Sequence, residues 1–335
     1  MTVRVGIIGT GIMGADHAEN LHRNVSGAAV TAVADVNSDA ARRVAAAVGG
    51  ARVFGDATAL IVDDAVDAIV IASHDSTHAE LTLAALDAGK PVLCEKPLAP
   101  TSVESREVCE AEIRGGQRLI SVGFMRRHDP SYVDLRRVVR SGDLGEILVA
   151  HCVSRTVSAD PRGDSASTIT NAAIHELDVM PWLLGSPIVE VSWHAGRSSR
   201  NAGRRVDPQI MLLRTASDVL ITVEVFVNAG YGYDTRCEVV GEDGAAALTL
   251  PAAVVIDRAR TRSVGYPADW RPRYADAYRH ELSEWISAIA DGRPPTLATA
   301  ADGLRAAVVA DALIESMNNG GKAVRVGHDV AEVPA

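Results

Sequence analysis

The chain has 335 residues, of which 47% are hydrophobic and 23% charged, and its net charge at pH 7 is −10. This length is too great for one ordinary hydrophobic core and fits two domains. The acidic balance, without any clustered basic run, argues against nucleic-acid binding, and no apolar run reaches the roughly 18 residues that a membrane span needs.

The first 122 residues alternate between short apolar runs and helix-like stretches. The runs are Val3–Ile8, Ala29–Ala34, Ala68–Ala72, Pro91–Cys94 and Leu119–Val122. The helix-like stretches are Ile12–Asn24, Asp39–Val48, Thr77–Ala88 and Val103–Arg114. Apolar runs without polar alternation suit strands that are buried on both faces. We therefore predict an α/β domain of the Rossmann type over residues 1–122, with a parallel sheet covered by helices.

This alternation ends after residue 122, and residues 123–335 are predicted to form an α+β domain. The expected strands are Ile147–Thr156, Ile188–Ala195, Gln209–Arg214, Val219–Asn228, Thr235–Gly241 and Ala246–Leu250. The expected helices are Ser131–Arg140, Asn171–Leu184, Tyr274–Ala290 and Thr299–Ser316. The short connections between most of these strands favour an antiparallel sheet.

A glycine-rich turn joins the first strand to the first helix. It reads Gly9-Thr10-Gly11-Ile12-Met13-Gly14, which is the GxGxxG pattern. In this setting the glycines permit a tight turn, a close approach to a pyrophosphate, and close packing of helix on strand. The free N–H groups at the helix N-terminus suit phosphate oxygens. The turn therefore predicts a dinucleotide site, the alternative being a structural glycine turn.

Asp35 ends the second strand, 21 residues after Gly14. A carboxylate there accepts hydrogen bonds from the ribose hydroxyls of an adenosine and repels a 2′-phosphate. Val36 and Asn37 follow, so no arginine directly after Asp35 is available to bind that phosphate. We predict NAD rather than NADP as the cofactor; the alternative for Asp35 is a helix cap.

Polar residues follow two further strands, at the edge where parallel sheets bind ligands. Ser73, His74 and His78 come after one of them, close to the expected nicotinamide position, although His78 equally fits a helix-capping or packing role. Glu95 and Lys96 come after the next. A lysine there can donate hydrogen bonds to a reacting oxygen, while the alternative is a surface lysine beside a proline. The predicted cofactor contacts are Gly9, Gly11, Ile12, Met13, Gly14, Asp35, Ser73, His74, His78, Glu95 and Lys96.

A second polar set lies in the predicted helix Asn171–Leu184. Asn171, His175 and Asp178 are spaced i, i+4 and i+7 and so share one helix face. A histidine near neutral pKa can take a proton from an alcohol, although a lone histidine in a helix is more often a packing residue. We predict no metal site, because no third ligand cluster accompanies this spacing.

Together these motifs resemble the glucose–fructose oxidoreductase/inositol dehydrogenase/rhizopine catabolism family over nearly the whole chain. Three stretches are most similar to the inositol dehydrogenases of that family: Gly123–Tyr132, Ala172–Gly185 and Tyr231–Gly244. The resemblance implies a Rossmann domain followed by a domain with a large open antiparallel sheet, and a homo-oligomer, often a tetramer, built through such sheets.

The resemblance also implies roles for individual residues. Lys96 and His175 match the family's catalytic lysine and histidine, and Arg127 and Tyr233 match positions associated with the inositol pocket. Inositol dehydrogenases usually carry an aspartate four residues before the histidine, where this chain has Asn171. We therefore predict Lys96, His175 and Asn171 as catalytic residues. The predicted substrate contacts are Lys96, Arg127, Arg155, Asn171, His175 and Tyr233.

The resulting hypothesis is an NAD-dependent dehydrogenase that oxidises a secondary alcohol of a cyclic polyol to a ketone. The leading small-molecule substrate is myo-inositol, oxidised to 2-keto-inositol, and the alternative is scyllo-inositol or a sugar. The sequence leaves the isomer and the physiological direction open. A non-catalytic NAD-binding sensor is the rival from another class. Because the N-terminus lacks a signal-peptide pattern and the four cysteines show no CxxC spacing, we expect a cytoplasmic protein without membrane or nucleic-acid partners.

Overall fold

A computed structural model describes residues 1–249 and 254–327 and divides them into two compact units. The first unit contains Met1–His128 and Asp276–Ala307. The second contains the described parts of Asp129–Ala275 and residues 308–327. No helix among these described residues is long and apolar enough to cross a membrane.

A six-stranded sheet lies at the centre of the first unit. Its strands are β1 (Val3–Ile8), β2 (Ala28–Ala34), β3 (Arg52–Phe54), β4 (Ala68–Ile71), β5 (Val92–Glu95) and β6 (Ile120–Gly123). Their order is β3-β2-β1-β4-β5-β6 and every pairing is parallel, as predicted. The connecting helices are α1 (Ile12–Arg23), α2 (Ser38–Ala47), α3 (Ala57–Ile61), α4 (His78–Asp87) and α5 (Ser102–Gly115).

The strand order of this sheet locates its ligand-binding edge. The order runs outward in both directions from β1 and β4, and such a reversal opens a crevice at the carboxyl ends of those strands. Both β4 and β5 are buried along their whole length, because helices cover both faces of the sheet. Residues that directly follow β1, β4 and β5 are therefore candidates for ligand contact.

The second unit contains a seven-stranded sheet that is mixed rather than antiparallel. The strands that follow β6 are β7 (Ile147–Arg155), β8 (Ile188–His194), β9 (Gln209–Thr215), β10 (Leu220–Phe226), β11 (Asp234–Gly241), β12 (Ala245–Ala247), β13 (Val255–Arg258), β14 (Thr261–Val264) and β15 (Val324–Arg325). The sheet order is β12-β11-β7-β10-β9-β8-β15, and β13 and β14 pair separately as an antiparallel hairpin.

One pairing in this sheet corrects the sequence prediction. β7 and β10 are parallel neighbours, whereas the expected sheet was antiparallel. The prediction relied on short connections between successive strands, but β7 and β10 are far apart in the chain, so loop length does not constrain their direction. The predicted strand Ala246–Leu250 is present as the shorter β12, and its last residue lies outside the described residues.

A helical segment packs on one face of this sheet. The helices that lie wholly within the second unit are α6 (Pro130–Ser141), α7 (Ser165–Thr168), α8 (Ile174–Leu184) and α9 (Trp270–Arg273). Between α7 and α8 the chain forms a π-helical turn, Ile169–Ala173. Met180 of α8 touches Cys152 of β7, with 3.4 Å between the two sulfur atoms. The buried face of β7 is thus the face toward α8, and its alternate residues point the other way.

The division of the chain differs from the predicted boundary between residues 122 and 123. The first unit continues to residue 128, and a later segment, 276–307, also belongs to it. This segment holds most of α10 (Ala275–Asp291) and the start of α11 (Ala300–Asn318). Leu282, Trp285 and Ile286 of α10 join the core that contains Val3 and Val5 of β1. The sequence alone does not show that a segment so late in the chain belongs to the first unit.

Candidate active site

The glycine-rich turn has the shape that a dinucleotide cradle needs. Gly9 adopts a φ of +88°, and a Cβ atom on it would collide with the backbone of Ser73 after β4. A Cβ atom on Gly14 would collide with the Gly9 carbonyl, so the two ends of the turn must be glycine. The space beside Gly11 is open, with no atom within 4 Å of where its Cβ would lie. This opening at the N-terminus of α1 fits a pyrophosphate.

Asp35 is held in place at the end of β2. Its Oδ2 accepts hydrogen bonds from the Thr10 backbone N at 2.5 Å and from the Thr10 hydroxyl at 2.9 Å. Its Oδ1 accepts from the Asn37 backbone N at 2.7 Å. Although burial opposes ionisation, these hydrogen bonds hold the pKa of Asp35 below its usual value. A fixed carboxylate beside the glycine turn suits the ribose of NAD.

The residues after β4 include a half-buried serine, an exposed histidine and a buried histidine. The Ser73 hydroxyl pairs with Thr77 at 2.7 Å, and the exposed His74 caps the next turn through Ser76 N. His78 is buried, and its Nδ1 and Nε2 face the carbonyl oxygens of Pro97 and Ser73. Because both ring nitrogens bond to protein, these contacts favour the packing role that the sequence left open for His78.

The residues after β5 form a charged group around Lys96. Glu95 is buried, and its Oε1 lies 2.7 Å from Nε2 of His17, a buried residue of α1. Its Oε2 accepts a hydrogen bond from the Lys96 backbone N at 3.2 Å. Burial opposes ionisation, yet the hydrogen bond with His17 holds the pKa of Glu95 below its usual value.

The electrostatics of Lys96 are set by its depth and its charged neighbours. Burial lowers the pKa of the Lys96 ammonium, the Glu95 carboxylate raises it, Arg126 lowers it, and Asp75 raises it. The net pKa is below the ordinary lysine value. An ammonium with a lowered pKa is a better proton donor to an oxygen, as polarising an alcohol or a ketone requires.

Sequence reasoning missed several members of this group. His17, Asp75 and Arg126 were not predicted as site residues. The signal available for His17 was its place on the first helix three residues after Gly14, which puts it one turn from the end of the glycine motif. Asp75 and Arg126 stand close to predicted residues in the chain, but no pattern distinguishes them.

Arg127 is anchored within the first unit. Its Nη1 lies 3.1 Å from Oδ2 of Asp302, a residue of α11. Arg127 and its neighbour Arg305 help to hold the pKa of Asp302 well below its usual range, against the opposing effect of burial. An arginine fixed in this way is a rigid donor, which is compatible with the predicted contact to a polyol.

The remaining predicted residues lie in the second unit. His175 is half-buried in the first turn of α8, and Asn171 is exposed within the π turn that precedes it. The predicted single helix Asn171–Leu184 therefore begins with an irregular turn, of a kind that often marks functional sites. Tyr233 is buried, and its ring packs edge-on against Tyr274 with 6.2 Å between centroids.

Arg155 has a different setting from these residues. Its guanidinium forms a two-pronged ion pair with Glu224 of β10, at 2.6 and 2.8 Å, and also reaches the Tyr231 hydroxyl. It alternates along β7 with Ser154 and therefore points to the face away from α8. These contacts favour a structural role for Arg155, as a link between neighbouring strands, over the predicted substrate contact.

A glycine turn shaped for a dinucleotide, a fixed carboxylate beside it and a lysine of lowered pKa are together typical of a dinucleotide-dependent oxidoreductase. Residues 3–124 match the family described as "Oxidoreductase family, NAD-binding Rossmann fold", and residues 136–326 match "Oxidoreductase family, C-terminal alpha/beta domain". The chain belongs to this family, that of glucose–fructose oxidoreductase, inositol dehydrogenase and the rhizopine catabolism protein. The predicted family, fold class and NAD cofactor are confirmed.

Relatives and solved structures cover the whole chain. It is 52% identical over 333 residues to inositol 2-dehydrogenase 2 of Paenarthrobacter aurescens, across 98% of this chain and 100% of the relative. The crystal structure of myo-inositol dehydrogenase from Lactobacillus casei in complex with NAD(H) and myo-inositol matches with a TM-score of 0.93 and 32% identity, over 98% of this chain and 97% of that one. A myo-inositol dehydrogenase from Corynebacterium glutamicum matches with a TM-score of 0.87 and 29% identity over the full length of both chains.

Proposed function

We propose that this protein oxidises a secondary hydroxyl of a cyclic polyol to a ketone, with myo-inositol as substrate and NAD as hydride acceptor, which is an inositol 2-dehydrogenase activity. The observation that carries the proposal is Lys96, which lies at the carboxyl end of β5 with a lowered pKa, in the same unit as the NAD cradle. The relative from Paenarthrobacter aurescens, named as an inositol 2-dehydrogenase, supports the choice of substrate.

The chemistry divides between the cofactor and the side chains. NAD, when bound, supplies the acceptor for the hydride that leaves the alcohol carbon. Lys96 donates a hydrogen bond to the oxygen on that carbon and stabilises the negative charge that develops there. His175 acts as the general base that accepts the hydroxyl proton. The Gly9–Gly14 turn and Asp35 hold the cofactor.

The substrate side depends on groups with fixed directions. Arg127 is anchored by Asp302 and presents a rigid donor to a ring hydroxyl. Tyr233, packed against Tyr274, offers a hydroxyl that both donates and accepts. Asn171, which stands where the family usually has aspartate, supplies hydrogen bonds without a charge, so we propose that His175 is a weaker base here than in relatives with the aspartate.

The test is a substrate panel with purified protein. NAD and NADP are each offered with myo-inositol, scyllo-inositol, other inositol isomers and aldoses, and reduction is followed by absorbance. We expect NAD reduction with myo-inositol to exceed that with the other compounds. A clear preference for scyllo-inositol or a sugar would replace the substrate. Tight NAD binding without any turnover across the panel would favour a sensor and overturn the proposal.

We further propose a cytoplasmic homo-tetramer. None of the four cysteines forms a disulfide, which suits a reducing compartment. The face of the seven-stranded sheet that points away from α8 carries half-buried apolar residues, among them Leu212 of β9 and Leu220 of β10, which a second copy would cover. Light scattering after size exclusion measures the mass directly, and a monomer at micromolar concentration would contradict the assembly.

A further inference from the structure

Lys96 lies between two residues that are each held by a buried histidine. Glu95, before it, contacts His17 of α1, and Pro97, after it, contacts His78 at the start of α4. The histidines are 0% and 2% exposed. Each comes from a different helix, so the segment 95–97 is fixed from two directions.

The first contact orients the residue before the lysine. His17 Nε2 lies 2.7 Å from Glu95 Oε1, and the other carboxylate oxygen of Glu95 accepts from the Lys96 backbone N at 3.2 Å. An ionised carboxylate only accepts, so Nε2 of His17 carries the proton and donates it. Nδ1 of His17 is buried and has no hydrogen-bond partner among residues 1–249 and 254–327, and the ring packs edge-on against Tyr278.

The second contact fixes the residue after the lysine. His78 Nδ1 lies 2.7 Å from the Pro97 carbonyl oxygen, and Nε2 lies 3.2 Å from the Ser73 carbonyl oxygen. Carbonyl oxygens only accept, so a ring that hydrogen-bonds to both of them must donate from both nitrogens and carry a positive charge. His78 therefore links the segment that follows β4 to the segment that follows β5. These two segments are distant from each other along the chain.

We propose that His17 and His78 form a two-histidine clamp, in which they act as positioning residues that fix the backbone of Glu95 and Pro97 and thereby the direction of the Lys96 side chain. This proposal rests on the proposed function, because it assigns the clamp to the lysine that acts on the substrate. Reaction rates depend steeply on the placement of such a group, since a displacement of about 1 Å can cost about a hundredfold in rate.

The clamp also stabilises the charges around the lysine. His17 holds the Glu95 carboxylate in its ionised form, and that carboxylate raises the pKa of Lys96 against the lowering effect of burial. A carboxylate left without its donor in the interior would bind a proton more readily and lose this influence. His17 thus acts on Lys96 through both geometry and charge.

The first experiment measures kcat and the Kd for NAD separately. We expect His17→Leu and His78→Leu to lower kcat about 10- to 100-fold while the Kd for NAD changes less than about threefold. His17→Gln keeps an N–H at the same distance from the backbone and should retain most of kcat. His22→Gln, at an exposed position on the same α1 helix, is the matched control and should behave as wild type. Folded leucine variants with wild-type kcat would overturn the clamp.

A second experiment needs no substrate and so separates the clamp from the proposed function. The chain has only three lysines, Lys90, Lys96 and Lys322, so lysine labelled with carbon-13 at Cε gives three resolvable titrations by NMR. We expect His78→Leu to move the Lys96 titration upward, toward the ordinary lysine value, by about one pKa unit as the half-buried side chain becomes more exposed to solvent.

The same titration also tests the electrostatic effect of the Glu95 carboxylate on Lys96. Glu95→Gln keeps the shape but removes the carboxylate, and should shift the Lys96 titration downward. Unchanged Lys96 titrations in folded His78→Leu and Glu95→Gln would overturn the clamp. Absence of polyol turnover in the wild type would overturn the proposed function instead and would leave this measurement intact.

Discussion

The two units of the molecule fix their site residues by different means. In the first unit, Gly9 is confined by its own backbone and by that of Ser73, Asp35 accepts two backbone N–H groups, and His17 and His78 hold the segment around Lys96. In the second unit, His175 lies in the first turn of a helix that follows an irregular π turn, and Asn171 is exposed within it. We infer that the proposed cofactor site is shaped mainly by the backbone, whereas the proposed substrate site depends on side chains that a few substitutions can change.

The largest effect is expected for substitution of Lys96, which tests whether this lysine acts in the chemical step or in NAD binding. Lys96→Met should lower kcat about a thousandfold, because the group that polarises the reacting oxygen is removed. The Kd for NAD should change less than about threefold, since the glycine turn and Asp35 are intact. Steady-state kinetics and calorimetric NAD titration measure the two quantities.

The same measurement on the other unit completes this test. His175→Gln should also reduce kcat by about a hundredfold or more, because general-base catalysis is lost. Lys322→Met, at an exposed position, is the control and should leave both quantities unchanged. Turnover near the wild-type rate in Lys96→Met would contradict the assigned role.

The second prediction concerns the choice between NAD and NADP. Asp35→Ser should weaken NAD binding about tenfold and improve NADP binding, because the carboxylate that accepts from the ribose and repels the 2′-phosphate is removed. Asp39→Ser, on the exposed side of α2, removes an equal charge four residues further along the chain and serves as the control. If both variants changed NADP binding equally, general charge rather than Asp35 would determine the preference.

The third prediction is a pH dependence of stability that originates at His78. The histidine is buried, which lowers its pKa, but Cys94 of β5 and the two carbonyl oxygens raise it to about 9. Because the pKa of His78 is raised in the folded state, its contribution to the free energy of unfolding is complete below the ordinary pKa of about 6.5. This contribution is lost as the pH rises through the pKa of the folded state.

The variant His78→Leu turns this into a measurement. Near pH 6 we expect it to lower the free energy of unfolding by about 2 kcal/mol, because the carbonyl oxygens of Pro97 and Ser73 lose their donor. The difference between wild type and variant should shrink as the pH approaches about 9. Urea unfolding at several pH values gives the difference, with His22→Leu as control. A difference independent of pH would show that the imidazole is not charged in the folded protein.

The sequence predicts the locally determined features of the first unit better than the features that depend on distant segments. The strand Val3–Ile8, the glycine turn and Lys96 at the end of β5 follow from apolar runs and motif spacing, because local sequence determines them. The parallel pairing of β7 with β10 and the return of α10 to the first core depend on contacts between distant segments. The π turn is a local feature, but no residue pattern in Ile169–Ala173 distinguishes it from an ordinary helix.

The smallest effect is expected at Asn171, where this chain differs from the usual residue of the inositol dehydrogenases. Asn171→Asp restores the carboxylate that inositol dehydrogenases usually carry four residues before the histidine. A negative charge near His175 stabilises the protonated imidazole, so the base should remain protonated to higher pH. We expect the acid limb of the kcat/KM profile to move upward by about one pH unit or less, while activity on the plateau changes by less than about fivefold.

The control for this shift is Asn319→Asp, an exposed position beyond the end of α11, which adds the same charge far along the chain from the π turn. The profile should be measured with the substrate that the panel identifies. An acid limb that stays in place in Asn171→Asp would mean that residue 171 does not influence the base. In that case the asparagine would affect the choice of substrate through hydrogen bonding alone, and the difference should then appear in the relative rates with myo-inositol and scyllo-inositol.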